Sequence, residues 1–201
     1  TLMRIEAVAS SEGSKGSTEY RETVACSEVS KKINNSAQYI HLSPNESVRQ
    51  LLETSEDEYR TLQLGLNNWQ PYETRYIESS QQVEVLGHLS LQAFLRPIVT
   101  LRAGQALQAN RPELHSGLLI DARGLDFHPV AMPTVITADG IELVSIKGFS
   151  RDAAKDRMPV VYVSDPAHSR ALYIGGKSPS IVRASKINEG RLELHAEDFE
   201  R

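Results

Sequence analysis

The chain has 201 residues, 40% hydrophobic and 24% charged, a balance that suits one cored domain or two small ones and a chain that folds rather than stays disordered. A net charge of −4 with 6% aromatic residues argues against a basic or base-stacking surface, so nucleic acid is not an expected partner. The single cysteine, Cys26, excludes an internal disulfide, and no apolar run approaches the roughly 20 residues of a membrane-spanning helix.

Residues 2–9 alternate apolar and polar positions and predict a strand. The opening does not read as a signal peptide. A polar Gly/Ser loop follows, and Ser17 or Thr18 then caps a helix running to about Ala37, with Tyr20, Val24, Val29 and Ile33 as its apolar stripe. Cys26 falls on a face of that helix, with no basic neighbours to activate it. Ser43, Pro44 and Glu46 form a capping-box pattern with proline at the first helical position. The helix so started buries Val48, Leu51, Leu52, Tyr59, Leu62 and Leu66, is split by the acidic run at 55–58, and ends near Gly65, Asn67 and Asn68. Residues 72–79 and 83–95 predict two adjoining strands joined at Ser79–Ser80, with Val83, Val85, Leu89, Leu91 and Ala93 on one face. The polar stretch 105–112 is the junction between an N-terminal unit, residues 1–104, and a C-terminal unit, residues 105–201.

The second half opens with a strand at Leu118–Asp121. Pro129 and Pro133 exclude a helix after it. Residues 134–137 predict a strand, Asp139–Gly140 a type I′ hairpin turn, and Ile141 with Leu143 the returning strand. Ser150 caps a short helix, residues 160–163 (VVYV) read as a buried strand, and Asp165–Pro166 starts a turn or helix through Leu172. Residues 180–187 and 192–194 predict a last hairpin around Asn188, Glu189 and Gly190. The fold class expected is α+β, two small units with antiparallel strands packed by helices.

Asp121 and Arg123 are the charged pair most open to a functional reading. Two apart on a strand, they share a face. A structural ion pair at the bend is favoured over a site, with Gly124 permitting the backbone turn. The six histidines form no ligand spacing for zinc, and Asp152, Asp156 and Asp165 are too scattered for a calcium loop. Gly175–Gly176–Lys177–Ser178 lacks the upstream glycine of a phosphate loop and reads as a turn. No nucleophile elbow or dinucleotide fingerprint is present. No catalytic set, metal or cofactor is therefore expected, and the chain reads as a non-enzyme.

The stretch from Gly117 to Gly148 carries Gly117, Leu118, Leu119, Ile120, Asp121, Ala122, Arg123, Gly124 and Leu125, then Pro129, Pro133, Val135, Asp139, Gly140 and Val144. It resembles the small bacterial envelope lipoproteins of the FlgP type, found around the flagellar base and outer membrane. Pro179, Ile181, Val182, Arg183 and Ala184, then Glu197 and Asp198, parallel the end of that family, and Val83–Glu84–Val85 parallels a run in its first half. Those lipoproteins carry lipid on an N-terminal cysteine. None stands near Thr1, so no anchor is carried over. The resemblance implies a structural or assembly subunit of an envelope complex, in the periplasm or at the outer-membrane periphery. Its partners would be further copies or other subunits, with membrane association through them. A flagellar basal disc or ring is the closest role. The alternatives are an outer-membrane component of a secretion-system complex, or a periplasmic module binding a small ligand or peptidoglycan with Asp121, Arg123 and the loop at His128 as its pocket.

Overall fold

The computed structural model describes residues 4–11, 16–104, 117–156, 158–165 and 167–195. In chain order the elements are β1 (Arg4–Ser10), α1 (Thr18–Ala37), β2 (His41–Ser43), β3 (Glu46–Ser47), α2 (Val48–Thr54), α3 (Glu56–Leu66), β4 (Gln70–Ile77), β5 (Gln82–Ser90) and α4 (Leu91–Arg102). There follow β6 (Leu118–Asp121), β7 (Val135–Thr137), β8 (Glu142–Val144), α5 (Arg151–Asp156), α6 (Ser169–Gly175), β9 (Ser180–Asn188) and β10 (Arg191–Leu194). The fold is α+β with separate sheets. No described helix is long and apolar enough to cross a membrane. The junction stretch 105–112 and the acidic pair Glu197–Asp198 lie outside the described residues.

Two compact units divide the chain. The first comprises the described parts of Thr1–Ile40 and Ser47–Ile98, and the second those of His41–Glu46 and Val99–Arg201.

In the first unit an antiparallel sheet runs in the order β1–β5–β4. Strand β5 alternates strictly, burying Val83, Val85 and Leu89, the period of two that one covered face demands. Helix α1 packs on β5 and β1. Gly87 admits it, because a side chain there would meet Val29 Cγ1 at 2.7 Å and the Trp69 ring at 2.8 Å. Ser17 caps α1 by accepting the Tyr20 amide at 3.3 Å. The buried stripe is Arg21, Ala25, Val29, Ile33 and Ala37; it keeps the predicted Val29 and Ile33, but Arg21 and Ala25 take the places expected of Tyr20, which is 61% exposed, and Val24. Small alanines lie against the sheet, and a buried arginine leads the stripe. Arg21 donates from its guanidinium to the Gln81 carbonyl and lies 5.7 Å from the centre of the Tyr76 ring. The helix is thereby tied to the β4–β5 hairpin.

Two predicted features of this half are corrected. The capping box is formed by Ser47 and Gln50, not by Ser43 and Glu46: Ser47 Oγ accepts the Gln50 amide at 3.2 Å and Gln50 Oε1 accepts the Ser47 amide at 2.7 Å. Glu46 instead pairs two-pronged with Arg102. The strand predicted over 83–95 stops at Ser90, and Leu91 begins α4. Ser90 accepts the Ala93 amide at 3.4 Å, and burial of Phe94, Leu95, Ile98 and Val99 follows a helical period. Pro97 lies inside this helix. The split between α2 and α3 falls at Ser55, inside the predicted run 55–58, and Ser55 accepts the Glu58 amide at 3.5 Å.

In the second unit the sheet runs β6–β9–β10–β7–β8. It is mixed: β6 pairs parallel to β9 and β7 parallel to β10, while β9–β10 and β7–β8 are antiparallel. The parallel pairs need the long connections that carry α5 and α6. Val135, Val182, Ala184, Leu192 and Leu194 form the core of one face. Ala131 and Met132 donate their amides to His41 and Leu42 carbonyls at 3.0 and 2.8 Å, tying the turn-rich 126–133 segment to β2.

Two predictions are corrected here. Residues 160–163 are not a strand. Tyr162 is held there because its hydroxyl donates to the Val130 carbonyl at 2.9 Å, and burial pushes its pKa up to about 12. The type I′ conformation is not at Asp139–Gly140, where Gly140 has φ 81° and Asp139 does not have positive φ. It is Glu189 and Gly190, between β9 and β10, that both hold positive φ, 50° and 77°, as that turn requires.

Candidate functional site

Asp121 is the last residue of β6, and Arg123 lies beyond the strand. Arg123 donates from Nε to Asp121 Oδ1 at 2.8 Å and from a terminal nitrogen to Oδ2 at 2.6 Å. Its backbone amide donates to Oδ1 at 3.0 Å. Arg123 thus holds both carboxylate oxygens, and these bonds hold the Asp121 pKa well below the usual carboxylate range. Gly124 follows with φ 84°, and the Leu125 amide closes the turn on the Ala122 carbonyl at 3.2 Å. Positive φ at the third position is what a type II turn asks of glycine. Ala122 and Leu125 then pack against the sheet core. Every residue of the DARGL run therefore serves the local structure. Asp121 and Arg123 clamp the turn, Gly124 makes it, and Ala122 and Leu125 anchor it.

The pair sits at the surface, with the Arg123 side chain 70% exposed. The Asp121 side chain is partly buried, 27% exposed. Asp121 faces Arg183 across the parallel pairing with β9. His128, the other residue of the predicted pocket, is an exposed side chain 3.9 Å from Asp126, and it is not brought to Asp121 or Arg123 by any bond of either residue.

Among the described residues no cluster of three or more His, Cys, Asp or Glu side chains has metal-holding geometry. Cys26 is half-buried. Burial, and then the Glu22 carboxylate, push its thiol pKa up, the opposite of what a nucleophile needs. Gly175 ends α6 and the following three residues form a bend into β9.

Sequence reasoning missed a cavity of about 270 Å³ in the first unit. Four carboxamides line it, Asn34 and Gln38 from the end of α1 and Gln63 and Asn67 from the end of α3. Tyr59 joins them, over an apolar floor of Ala37, Val48 and Leu66. The signal was present as two amide pairs, each four residues apart, which places both members of a pair on one helix face.

A family model described as the second domain of Treponema pallidum Tp0624 matches residues 117–194. That span runs from the start of the GLLIDARGL stretch to the end of β10 and takes in the mixed sheet. No curated protein matches the chain.

Proposed function

We propose that this chain is a non-catalytic structural or assembly subunit of a bacterial envelope complex, placed in the periplasm or at the outer-membrane periphery, with a flagellar basal disc or ring as its machine. The observation that carries the reading is the closed state of the Asp121–Arg123 pair. Both carboxylate oxygens are occupied by Arg123, so the most distinctive stretch of the sequence builds a turn and offers neither a free base nor a free anion site. The envelope setting rests on the resemblance of that stretch to FlgP-type lipoproteins. An outer-membrane secretion-system ring would make the same demands on the chain. The test is fractionation of cells producing the native protein, followed by gentle extraction of the envelope. Recovery in a large envelope complex is expected. Recovery as a monomer without envelope partners would end this reading.

A further inference from the structure

The cavity of the first unit has a chemistry of its own. Its polar lining is made of neutral groups only: four carboxamides and the Tyr59 phenol. Asn34 Oδ1 is buried and accepts no hydrogen bond from any described residue. A carboxamide offers two donors and an acceptor within a few ångströms. An ionic ligand would leave water here and find no counter-charge. An apolar ligand would bury the amides without partners. The volume of about 270 Å³ lies just below the roughly 300–1,000 Å³ of sites for drug-sized molecules, which suits a single ring. A ligand there meets up to four amides, and it must at least serve the buried Asn34 Oδ1. Neighbouring hydroxyls do so most densely, because each one donates and accepts and so matches either end of a carboxamide. The C–H faces of such a ring fit Tyr59 and the apolar floor.

We propose that this cavity binds one neutral sugar residue. The site is separate from the DARGL turn and does not depend on the assembly role. The test is an NMR titration of the ¹⁵N-labelled full chain with glucose and with N-acetylglucosamine, with citrate and spermidine as charged probes and acetamide as an amide-only probe. Saturable shifts are expected with a sugar, concentrated on the side-chain amides of Asn34, Gln38, Gln63 and Asn67. Gln63 is exposed, so Gln63→Leu should keep the rest of the spectrum and weaken sugar binding at least about tenfold, roughly 1.4 kcal/mol. Tyr59→Leu should weaken it as well, through loss of the ring face. The proposal is overturned if no sugar gives a saturable response, if the shifts lie elsewhere, if a probe binds more tightly than both sugars, or if Gln63→Leu binds as well as the parent.

Discussion

Gly124 and Gly148 separate two costs that are usually mixed. Neither has any atom within 4 Å of the place a methyl group would occupy, but only Gly124 holds positive φ. Gly124→Ala should therefore lose about 1–2 kcal/mol, the penalty of a left-handed backbone for an L-residue. Gly148→Ala should be near neutral, and urea denaturation of the two variants reads the difference directly. The neighbouring Asp121 gives a pH signature. Its pKa is lowered from an ordinary value of 3.8 by hydrogen bonds from Arg123. A depressed folded-state pKa contributes stability that is present above the unfolded value and lost as pH falls toward the folded one. Asp121→Asn should be less stable than the parent at neutral pH, and its stability should decline less steeply below about pH 4. Equal slopes in acid denaturation would show that the pair is not coupled to folding. The spacing of Asp121 and Arg123 announced their partnership. That Arg123 is exposed and Asp121 partly buried was not legible, because a spacing of two says which face residues share and nothing about what covers that face.

Elements were most legible where one face is buried and the ends carry their own caps. Helix α1, with Ser17 before it, and the β9–β10 hairpin follow this rule. The run from 83 to 102 did not, since alternation in β5 passes without a polar break into the apolar run of α4. Only the cap at Ser90 and the later spacing of Phe94, Ile98 and Val99 mark the change. The box at 43–46 misled for a related reason: two serines, four residues apart, both precede an acid or amide at the third position. Ser47 with Gln50 prevails, and Glu46 is taken by Arg102. Gly65 has a packing role hidden from sequence altogether. It stands before the helix end and resembles a terminator, yet a methyl group there would lie 2.9 Å from the Phe94 carbonyl carbon. Backbone cannot step aside as a side chain does, so α3 and α4 would have to separate. Gly65→Ala should destabilise the protein by about 1–3 kcal/mol or more, despite the better helix propensity of alanine. A rise in denaturation midpoint would refute this close packing.

At the scale of the whole molecule, the two larger sheets are open among the described residues. The first is bounded by β1 and β4 and the second by β6 and β8, so each unit presents strand edges that natural proteins pair, cover or blunt. Under the proposed assembly role, pairing with further copies or partner subunits would satisfy those backbone groups. It also sets how the association should respond to salt. With a net charge of −4 and exposed ion pairs largely between near neighbours in sequence, such as Arg60–Glu56 and Arg191–Glu189, charge is not the force that would hold copies together. Strand-edge hydrogen bonds and apolar contact are short-ranged, and screening reaches them weakly. The purified chain should therefore show by light scattering a mass well above the 22.3 kDa of one copy, burying about 1,000 Å² or more at its interface. That mass should be unchanged between about 0.1 and 1 M salt, where the Debye length falls from about 10 to about 3 Å. Dissociation over that range would transfer the interface to charged side chains. A mass of one copy at every concentration tested would remove self-association and leave the envelope role dependent on other subunits.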